Sequence, residues 1–494
     1  MPRPGLQLAW LSLLFLNLVS GLAIARNDSA AACHELERIF QNFNVLSSEK
    51  NYTALSTENW SQTAWAKPSC IMQPRRVSDV QQVVRILTRR NIPFAIRSGG
   101  HMPSPLAANI NNGVLIDMAL FNSVNYDAAN SEAKVGAGQR WGNVYDALDA
   151  YNVTVVGGRV LDVGVGGLIL GCGLSYLSDL HGLACDNVVN FENKVVLADG
   201  SVVNANADSN SDLWWALKGG SNNFGIITSF TLSTYPIHDI WGGTKFYTLD
   251  QMPALFSAMA QYQTQSNKDP YANLIMQAFI TDASIGAFIN MVYLKPEVSP
   301  AAFSPFYSIP TVNDTTKLQT LTEFISGQIV PSVPRFDWFT TTLKPSVSLY
   351  SKIENVLNTA PELRTLTSLT AGAMALAIQP ISARVGHVGH RRGGNALGLQ
   401  ATVQTWFTLD VAHYRAADDE AAHNATRGVL ARIESETRRD GKYLPYQFMN
   451  DASFDQDVIG HYGAQNVRRL KNVQERYDPE RVFQILVPGG FKLP

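Results

Sequence analysis

Apolar and polar positions alternate along the chain in two rhythms. From Ser78, the segment Asp79-Val80-Gln81-Gln82-Val83-Val84-Arg85-Ile86-Leu87 has the spacing of an amphipathic helix with Ser78 as its N-cap. Pro93-Phe94-Ala95-Ile96-Arg97 reads as a short buried strand running directly into Ser98-Gly99-Gly100-His101. Val114–Asp117 and Glu132–Val135 predict further strands, and Trp141–Tyr151 predicts a helix. Val195–Val203 predicts a hairpin with Asp199-Gly200 at its turn. Asp212–Lys218 is then helical and Gly225–Leu232 a strand, so the chain up to about Pro236 mixes α and β. Between about Ile237 and Lys442, helical stretches (Pro253–Gln263, Ala416–Arg439) alternate with strand-like ones such as Ala401–Leu409, which predicts a second α+β unit. From about Tyr443 a shorter apolar segment closes on Pro488-Gly489-Gly490-Phe491-Lys492-Leu493. No internal repeat or low-complexity tract interrupts this order.

The N-terminus departs from both rhythms. Arg3 precedes an apolar run from Leu6 to Leu22, and Ala23-Ile24-Ala25 supplies a small-x-small cleavage pattern. The segment 1–25 therefore reads as a signal peptide, with an uncleaved anchor as the rival reading. Asn-x-Ser/Thr sequons at Asn27, Asn51, Asn59, Asn152, Asn313 and Asn424 fit the same secretory route. Hydrophobic residues make up 46% of the 494 and charged ones 16%, enough for a large core and unlike a disordered chain. Lys and Arg number 39 against 41 Asp and Glu, a net charge of −2 without a basic run, so no nucleic-acid partner is expected. Small-molecule chemistry on a secreted monomer, free of the membrane once the leader is cleaved, is the expectation.

Four cysteines bear on that compartment. Cys33 and Cys70 are expected to pair in an oxidising environment, and closing the loop between them would restrict the unfolded chain by about 4 kcal/mol. Cys172 and Cys185, in glycine-rich and apolar surroundings, are expected to be small buried thiols. No Cys-x-x-Cys or His-x-x-x-His spacing occurs, so no metal is expected.

Two glycine clusters can hold a ligand. In Arg97-Ser98-Gly99-Gly100-His101, adjacent glycines can turn successive N–H groups to one side of the loop, a nest for phosphate oxygens. The segment Gly164-Val165-Gly166-Gly167-Leu168-Ile169-Leu170-Gly171-Cys172-Gly173-Leu174-Ser175 would let a bulky planar or phosphorylated ligand approach the backbone closely. Either could equally be a tight turn. Neither fits a P-loop, and Ile169 stands where the third glycine of a Gly-x-Gly-x-x-Gly fingerprint would fall. No Gly-x-Ser-x-Gly elbow is present.

With these segments in hand, the run Ala66–Pro236 resembles the FAD-binding domain of the vanillyl-alcohol oxidase superfamily, and within it the berberine bridge enzyme-like oxidases. The resemblance rests on Pro93–His101, on Gly164–Ser175, on Tyr176-Leu177-Ser178 through His181–Val189, and on Asp212–Thr228. Tyr462-Gly463, Asn466, Arg469-Leu470, Tyr477-Asp478-Pro479 and Gly489–Leu493 resemble the family's closing segment. It implies an α+β fold with a two-part FAD-binding domain (26–236, PCMH-type core about 66–236, plus 443–494) and an inserted substrate domain over 237–442.

The resemblance also implies site residues. His101 would be joined through a ring nitrogen to the 8α-methyl of FAD, which retains the cofactor and makes it a stronger oxidant. Arg97, Ser98, Gly99, Gly100, His101, Gly166, Gly167, Gly171, Ser175, Gly225, Ile227 and Asn466 would bind FAD. Some members attach the flavin a second time through a cysteine; Val160 stands at that place, so a single bond is expected. Phe191–Val196 looks about two residues longer than the usual strand, which suggests a bulge. Gly393–Gly398 resembles a recurring strand start in the substrate domain. Tyr443-Leu444-Pro445-Tyr446 resembles a Tyr-x-Asn-Tyr segment with Pro445 in place of Asn, making Tyr446 the candidate catalytic base and His461 its alternative. The implied activity is an FAD-dependent oxidase that removes hydride from an alcohol- or amine-type carbon of a secondary-metabolite intermediate, with O2 as acceptor. A flavin-fold cyclase without net redox, an oligosaccharide oxidase and a degenerate carbohydrate-binding protein are the competing readings.

Overall fold

Short strands rich in branched and aromatic residues pair into three sheets, each covered by helices. The computed structural model describes residues 29–41, 43–282, 284, 286–328 and 333–494, apart from the side chains of 192–194. The leader and Asn27 lie outside the described residues. Asn44–Leu46 (β1), Cys70–Met72 (β2), Phe94–Arg97 (β3) and Val114–Asp117 (β4) form a four-stranded sheet in the order β1-β2-β4-β3. β2 and β3 run parallel to β4, which is buried on both faces. A helix over residues 29–39 and the helix Val77–Arg89 supply the core beneath it. The latter helix begins one residue before the predicted N-cap. Asp79 takes over the capping, its carboxylate accepting from the backbone N–H of Arg75 at 3.1 Å and of Arg76 at 3.0 Å.

The second sheet joins Val124–Asp127 (β5), Glu132–Gly136 (β6), Thr154–Val155 (β7), Val188–Val196 (β8), Val202–Asn206 (β9), Ile226–Ile227 (β10) and Ser229–Tyr235 (β11). The hairpin at Asp199-Gly200 is present as β8 and β9. Between the pairs Phe191–Ala205 and Val195–Val203, β8 spans four residues and β9 two, so the long segment is accommodated as a bulge.

The third sheet has nine strands: Asp239–Tyr247 (β12), Ala272–Phe279 (β13), Ala287–Tyr293 (β14), Asn313–Asp314 (β15), Lys317–Thr320 (β16), Arg335–Leu343 (β17), Ala373–Ile381 (β18), Gln404–His413 (β19) and Tyr443–Leu444 (β20). Its central order is β12-β14-β13-β18-β19-β17, all antiparallel. Period two then sorts the residues. On β18, Met374, Leu376 and Ile378 pack on the helices Met252–Thr264, Val347–Thr359 and Asp419–Arg439, while Ala373, Ala375, Ala377 and Gln379 face the other way. Gly393–Gly398 forms turns packed on Trp214, Trp215 and Tyr462 rather than the start of a strand, which begins at Gln404.

The last segment folds back onto the first sheet. The N–H of Phe94 donates to Leu486 O at 2.7 Å, and the Asn223 amide donates to Phe491 O at 2.8 Å. Among the described residues no helix is long and apolar enough to cross a membrane.

Cys33 and Cys70 are bonded, as expected, tying the first helix to β2. Cys172 and Cys185 are bonded as well, with Cα atoms 4.6 Å apart, and so are not free thiols. The chain between them turns back on itself, Ala184 N donating to Gly173 O at 2.9 Å, and this brings the two sulfurs together. One sequon is structurally committed. Asn59 is 2% exposed, and its Oδ1 accepts from Arg97 and Asn109, so no glycan fits there. Asn51, Asn152, Asn313 and Asn424 are exposed. Non-reducing peptide mapping should recover both bridges, and Cys33→Ser with Cys70→Ser should lower the unfolding free energy by about 2–4 kcal/mol in denaturant titrations.

Candidate active site

A cavity of about 700 Å³ lies between the two glycine segments and the free face of the nine-stranded sheet. Its floor is backbone. Gly99 and Gly164 meet so closely that a Cβ on Gly99 would lie 2.5 Å from Gly164 Cα. Ser98 stitches the two loops together: its hydroxyl donates to Ala137 O at 2.6 Å and accepts from Gly166 N at 3.1 Å. Gly100 has φ +63°, a conformation that favours glycine, and this turn delivers His101 to the cavity. A Cβ on Gly167 would meet nothing within 4 Å, so this part of the floor is open to a ligand.

The roof is the alternating face described above. Phe246, Phe288, Ile275, Phe279, Phe336 and Trp338 give it an aromatic and aliphatic surface, and the β18 alanines keep it low. One end is polar. There the side chain of Gln379 accepts from Arg159 at 2.5 Å and donates to Asp451 Oδ2 at 2.6 Å, with the Thr408 hydroxyl 3.4 Å from the same carboxylate oxygen. Asp410, also on β19, lines the same end. Burial raises the pKa of both acids. For Asp410 the charges of Asp451 and Asp337 push further in the same direction, whereas Arg159, Gln379 and Thr408 act against the rise at Asp451.

His101 stands at the seam of floor and roof. Its ring stacks on Trp60 at 4.4 Å, and Trp60 stacks in turn on Phe336 at 4.3 Å. Burial, helped by the charge of Arg140, lowers the His101 pKa to about 4, so the imidazole is neutral at neutral pH. Its Nδ1 is buried without a hydrogen-bond partner among the described residues. A flavin fits these residues. The glycine floor admits a flat ring, and the unpartnered ring nitrogen is a nucleophile that nothing among the described residues satisfies.

The sequence-derived positions divide. Ser98, Gly99, Gly100, His101, Gly166, Gly167, Gly225 and Ile227 line the cavity, together with Val160. Arg97, Gly171, Ser175, Asn466 and Tyr446 do not. The Arg97 guanidinium is 1% exposed and points away into an ion pair with Asp117 at 3.0 Å and Glu58 at 3.1 Å. Gly171 abuts the Asn450 side chain, the Ser175 hydroxyl accepts from Leu177 N at 3.3 Å, and the Asn466 amide donates to Ala396 O at 3.1 Å. Tyr446 belongs to the core beside Trp406, its ring 5.2 Å away. Burial, with Tyr462, Asp451 and Asp186 nearby, drives its hydroxyl well above the usual phenol range, the reverse of what a base needs. His461 lies outside the cavity too, with Nδ1 2.5 Å from Asp457 O.

Sequence reasoning missed Asp410, Asp451, Gln379 and Arg159. Asp410 is the one acid in the strand Gln404–His413, and that was the available sign for it. For Asp451 the sign lay in register: Phe448-Met449-Asn450-Asp451 keeps Asn third and puts an acid fourth, and the Asn450 amide donates to Leu168 O of the glycine floor at 3.2 Å.

Comparison with known proteins fits this geometry. An FAD-binding domain family model matches residues 68–206. An FAD-dependent monooxygenase of Arthrobotrys oligospora is 37% identical over 466 residues, covering 93% of this chain and 89% of that protein. The chain belongs to the berberine bridge enzyme-like FAD-linked oxidoreductases. Within this family the bifunctional solanapyrone synthase of Alternaria solani is also 37% identical, with coverage of 94% and 89%. Among solved structures, the glucooligosaccharide oxidase of Acremonium strictum superposes with a TM-score of 0.76 at 18% identity, covering 94% of this chain and 99% of that one. Its flavin is described as 6-S-cysteinyl, 8α-N1-histidyl FAD. Like other berberine bridge enzyme-like proteins, this one is an FAD-linked oxidoreductase.

Arg97 acts on the fold rather than on the ligand. Arg97→Ala leaves Asp117 buried without its cation and should cost about 3–5 kcal/mol in chemical denaturation. The fraction that folds should keep its full flavin content.

Proposed function

We propose that this protein is a secreted oxidase whose FAD is held covalently by His101 alone. It would oxidise the alcohol- or amine-bearing carbon of a largely apolar secondary-metabolite intermediate and pass the electrons to O2. The observation that carries the reading is the neutral imidazole of His101, its Nδ1 without a hydrogen-bond partner among the described residues, at the end of a glycine floor and facing an aromatic roof. Two disulfides and four exposed sequons among the described residues support a secretory route.

FAD supplies the two-electron oxidant. The protein's own contribution is placement. Ser98 fixes the spacing of the two loops, and Trp60 holds the His101 ring in one plane, limiting the orientations from which it can bond the flavin. The Acremonium oxidase carries a cysteinyl as well as a histidyl link. Here Val160 lines the cavity at the place the resemblance gives to that cysteine, which supports a histidyl bond alone.

The roof favours an apolar substrate over an oligosaccharide. A sugar presents hydroxyls on every edge and needs a partner for each, since every unpaired polar group buried costs about 1–3 kcal/mol. Phe246, Phe288, Phe279, Ile275 and the β18 alanines offer none, and of the two polar side chains that β13 and β14 add, Gln277 and Asn290, the second already accepts from the Thr244 hydroxyl at 2.7 Å. The similarity to a bifunctional synthase supports a second reading, in which the same cavity also folds the oxidised product for a bond-forming step.

Acid-precipitated protein should stay yellow, with flavin on a single peptide containing His101, and His101→Ala should release it. Because the His101 pKa is lowered to about 4, the nucleophilic neutral ring is the dominant form at higher pH. Attachment by apo-protein given FAD should be flat across the neutral range and fail only as pH falls toward that value. Holoenzyme given aryl-substituted secondary alcohols should bleach anaerobically and release H2O2 in air, and cello-oligosaccharides should do neither. Bleaching by the oligosaccharides alone would overturn the substrate class.

A further inference from the structure

We propose that Asp451 and Asp410 form a proton-sharing carboxylate pair, with Asp451 the base that takes the substrate hydroxyl proton and Asp410 a neutral acid that donates a hydrogen bond to the same oxygen. The proposal rests on the oxidoreductase reading above and assigns the acid–base work that Tyr446 cannot do.

Both side chains line the polar end of the cavity. They arrive from different directions, Asp410 from the roof strand β19 and Asp451 from the turn Met449–Asp451. Asn450, next to Asp451, is tied to Leu168 O of the floor, so the Asp451 carboxylate stands where floor and roof meet. Asp410 lies two residues from Thr408 on the same face of β19, and the Thr408 hydroxyl is within 3.4 Å of Asp451 Oδ2. The Asp410 side chain therefore neighbours Asp451 across a gap open to the cavity.

Their surroundings differ. Asp451 accepts from Gln379 and Thr408, and the Arg159 charge reaches it through Gln379. Asp410 has no hydrogen-bond donor among the described residues. It faces Trp338 and Ala375 across the strands, with Asp337, held by His423 behind the sheet, as a further negative neighbour. Tyr446, the remaining titratable group near Asp451, stays neutral. Two like charges in one dry site cannot both be kept, so the better-solvated carboxylate ionises and the other keeps its proton. The reaction balances. With FAD bound, the O–H proton would pass to the Asp451 carboxylate as the carbon-bound hydrogen left with its electron pair to the cofactor, so the carbinol becomes a carbonyl. O2 would then take those two electrons, that hydrogen and the proton from Asp451 as H2O2, which returns Asp451 to its anion.

The first test needs no substrate. Infrared difference spectra of the holoenzyme through a pH titration should show the C=O stretch of one protonated carboxylic acid persisting at neutral pH. The band should vanish in Asp410→Asn, and in Asp451→Asn its disappearance should shift to lower pH, because the like charge is gone. Absence of the band, or its survival in Asp410→Asn, overturns the pair. The second test uses anaerobic flavin reduction by 1-phenylethanol. For the wild type, kcat/KM should be bell-shaped. It falls at low pH as Asp451 gains a proton and at high pH as Asp410 loses one. Asp410→Asn should remove the alkaline limb and retain the acid one, while Asp451→Asn should slow reduction about 10²–10⁴-fold with FAD still bound. Unchanged reduction in Asp451→Asn overturns its role as base. If 1-phenylethanol fails to reduce the wild type, the substrate reading falls, and the infrared titration still decides the pair.

Discussion

Two stretches of backbone approach each other at Gly99 and Gly164 with no room for a side chain between them, and the position of every other part of the site follows from that approach. A Cβ on either residue would have to occupy space that the other's backbone already fills. The close passage lets the Ser98 hydroxyl bridge both loops, and it sets the floor at one height from β3 to the helix Val165–Leu170. The strand that feeds this floor is fixed from below. Arg97, buried against Asp117 and Glu58, ends β3 at a defined place, so the turn at Gly100 presents His101 and not its neighbours. A buried ion pair of this kind adds little net stability, but breaking it is costly, which suits a residue whose task is to hold a register.

The nine-stranded sheet solves the opposite problem with side chains. Its period-two alternation gives one face to a helical layer, where Met374, Leu376 and Ile378 pack, and leaves the other to the cavity. Small residues on β18 create depth, aromatic residues on β12, β14 and β17 create walls, and the polar residues Gln379, Thr408 and Asp410 gather near Arg159 and Asp451. The protein thus keeps binding geometry on rigid strands and leaves the floor to glycine backbone. A ligand can differ in shape on the roof side without disturbing the floor.

How much of this was legible follows from where the information sits. The glycine floor, His101 and the order of elements can be read locally, because a Ser-Gly-Gly-His turn after a buried strand constrains its own backbone whatever surrounds it. The bulge in β8 was legible for the same reason: two surplus residues must go somewhere. Arg97 was misjudged because its partners, Asp117 and Glu58, are distant in sequence and only pairing of β3 with β4 brings Asp117 to it. Cys172 and Cys185 looked like thiols because the turn that joins them is a tertiary fact, not a spacing rule. Tyr446 is read by register on a segment whose match is imperfect at Pro445, and the chain reaches the cavity two residues further on, at Phe448, with Asp451 closing that stretch.

The indirect route from Arg159 to Asp451 has a chemical consequence. A guanidinium bonded directly to a buried carboxylate would stabilise the anion strongly, because charge-assisted bidentate pairs are the strongest available, and the carboxylate would then be a poor base. With no counter-charge at all, the same carboxylate would carry a desolvation penalty of several kcal/mol and remain protonated. Gln379 sits between these limits. Its Oε1 takes the Arg159 donor and its Nε2 gives one hydrogen bond to Asp451, so the anion is neutralised at a distance but its second oxygen stays free for a proton. Substituting a longer cation for Gln379 would strengthen the ion pair and weaken the base. Residue 379 therefore helps to set the basicity of Asp451 from a strand whose preceding cavity-facing positions, Ala373, Ala375 and Ala377, are too short to reach it.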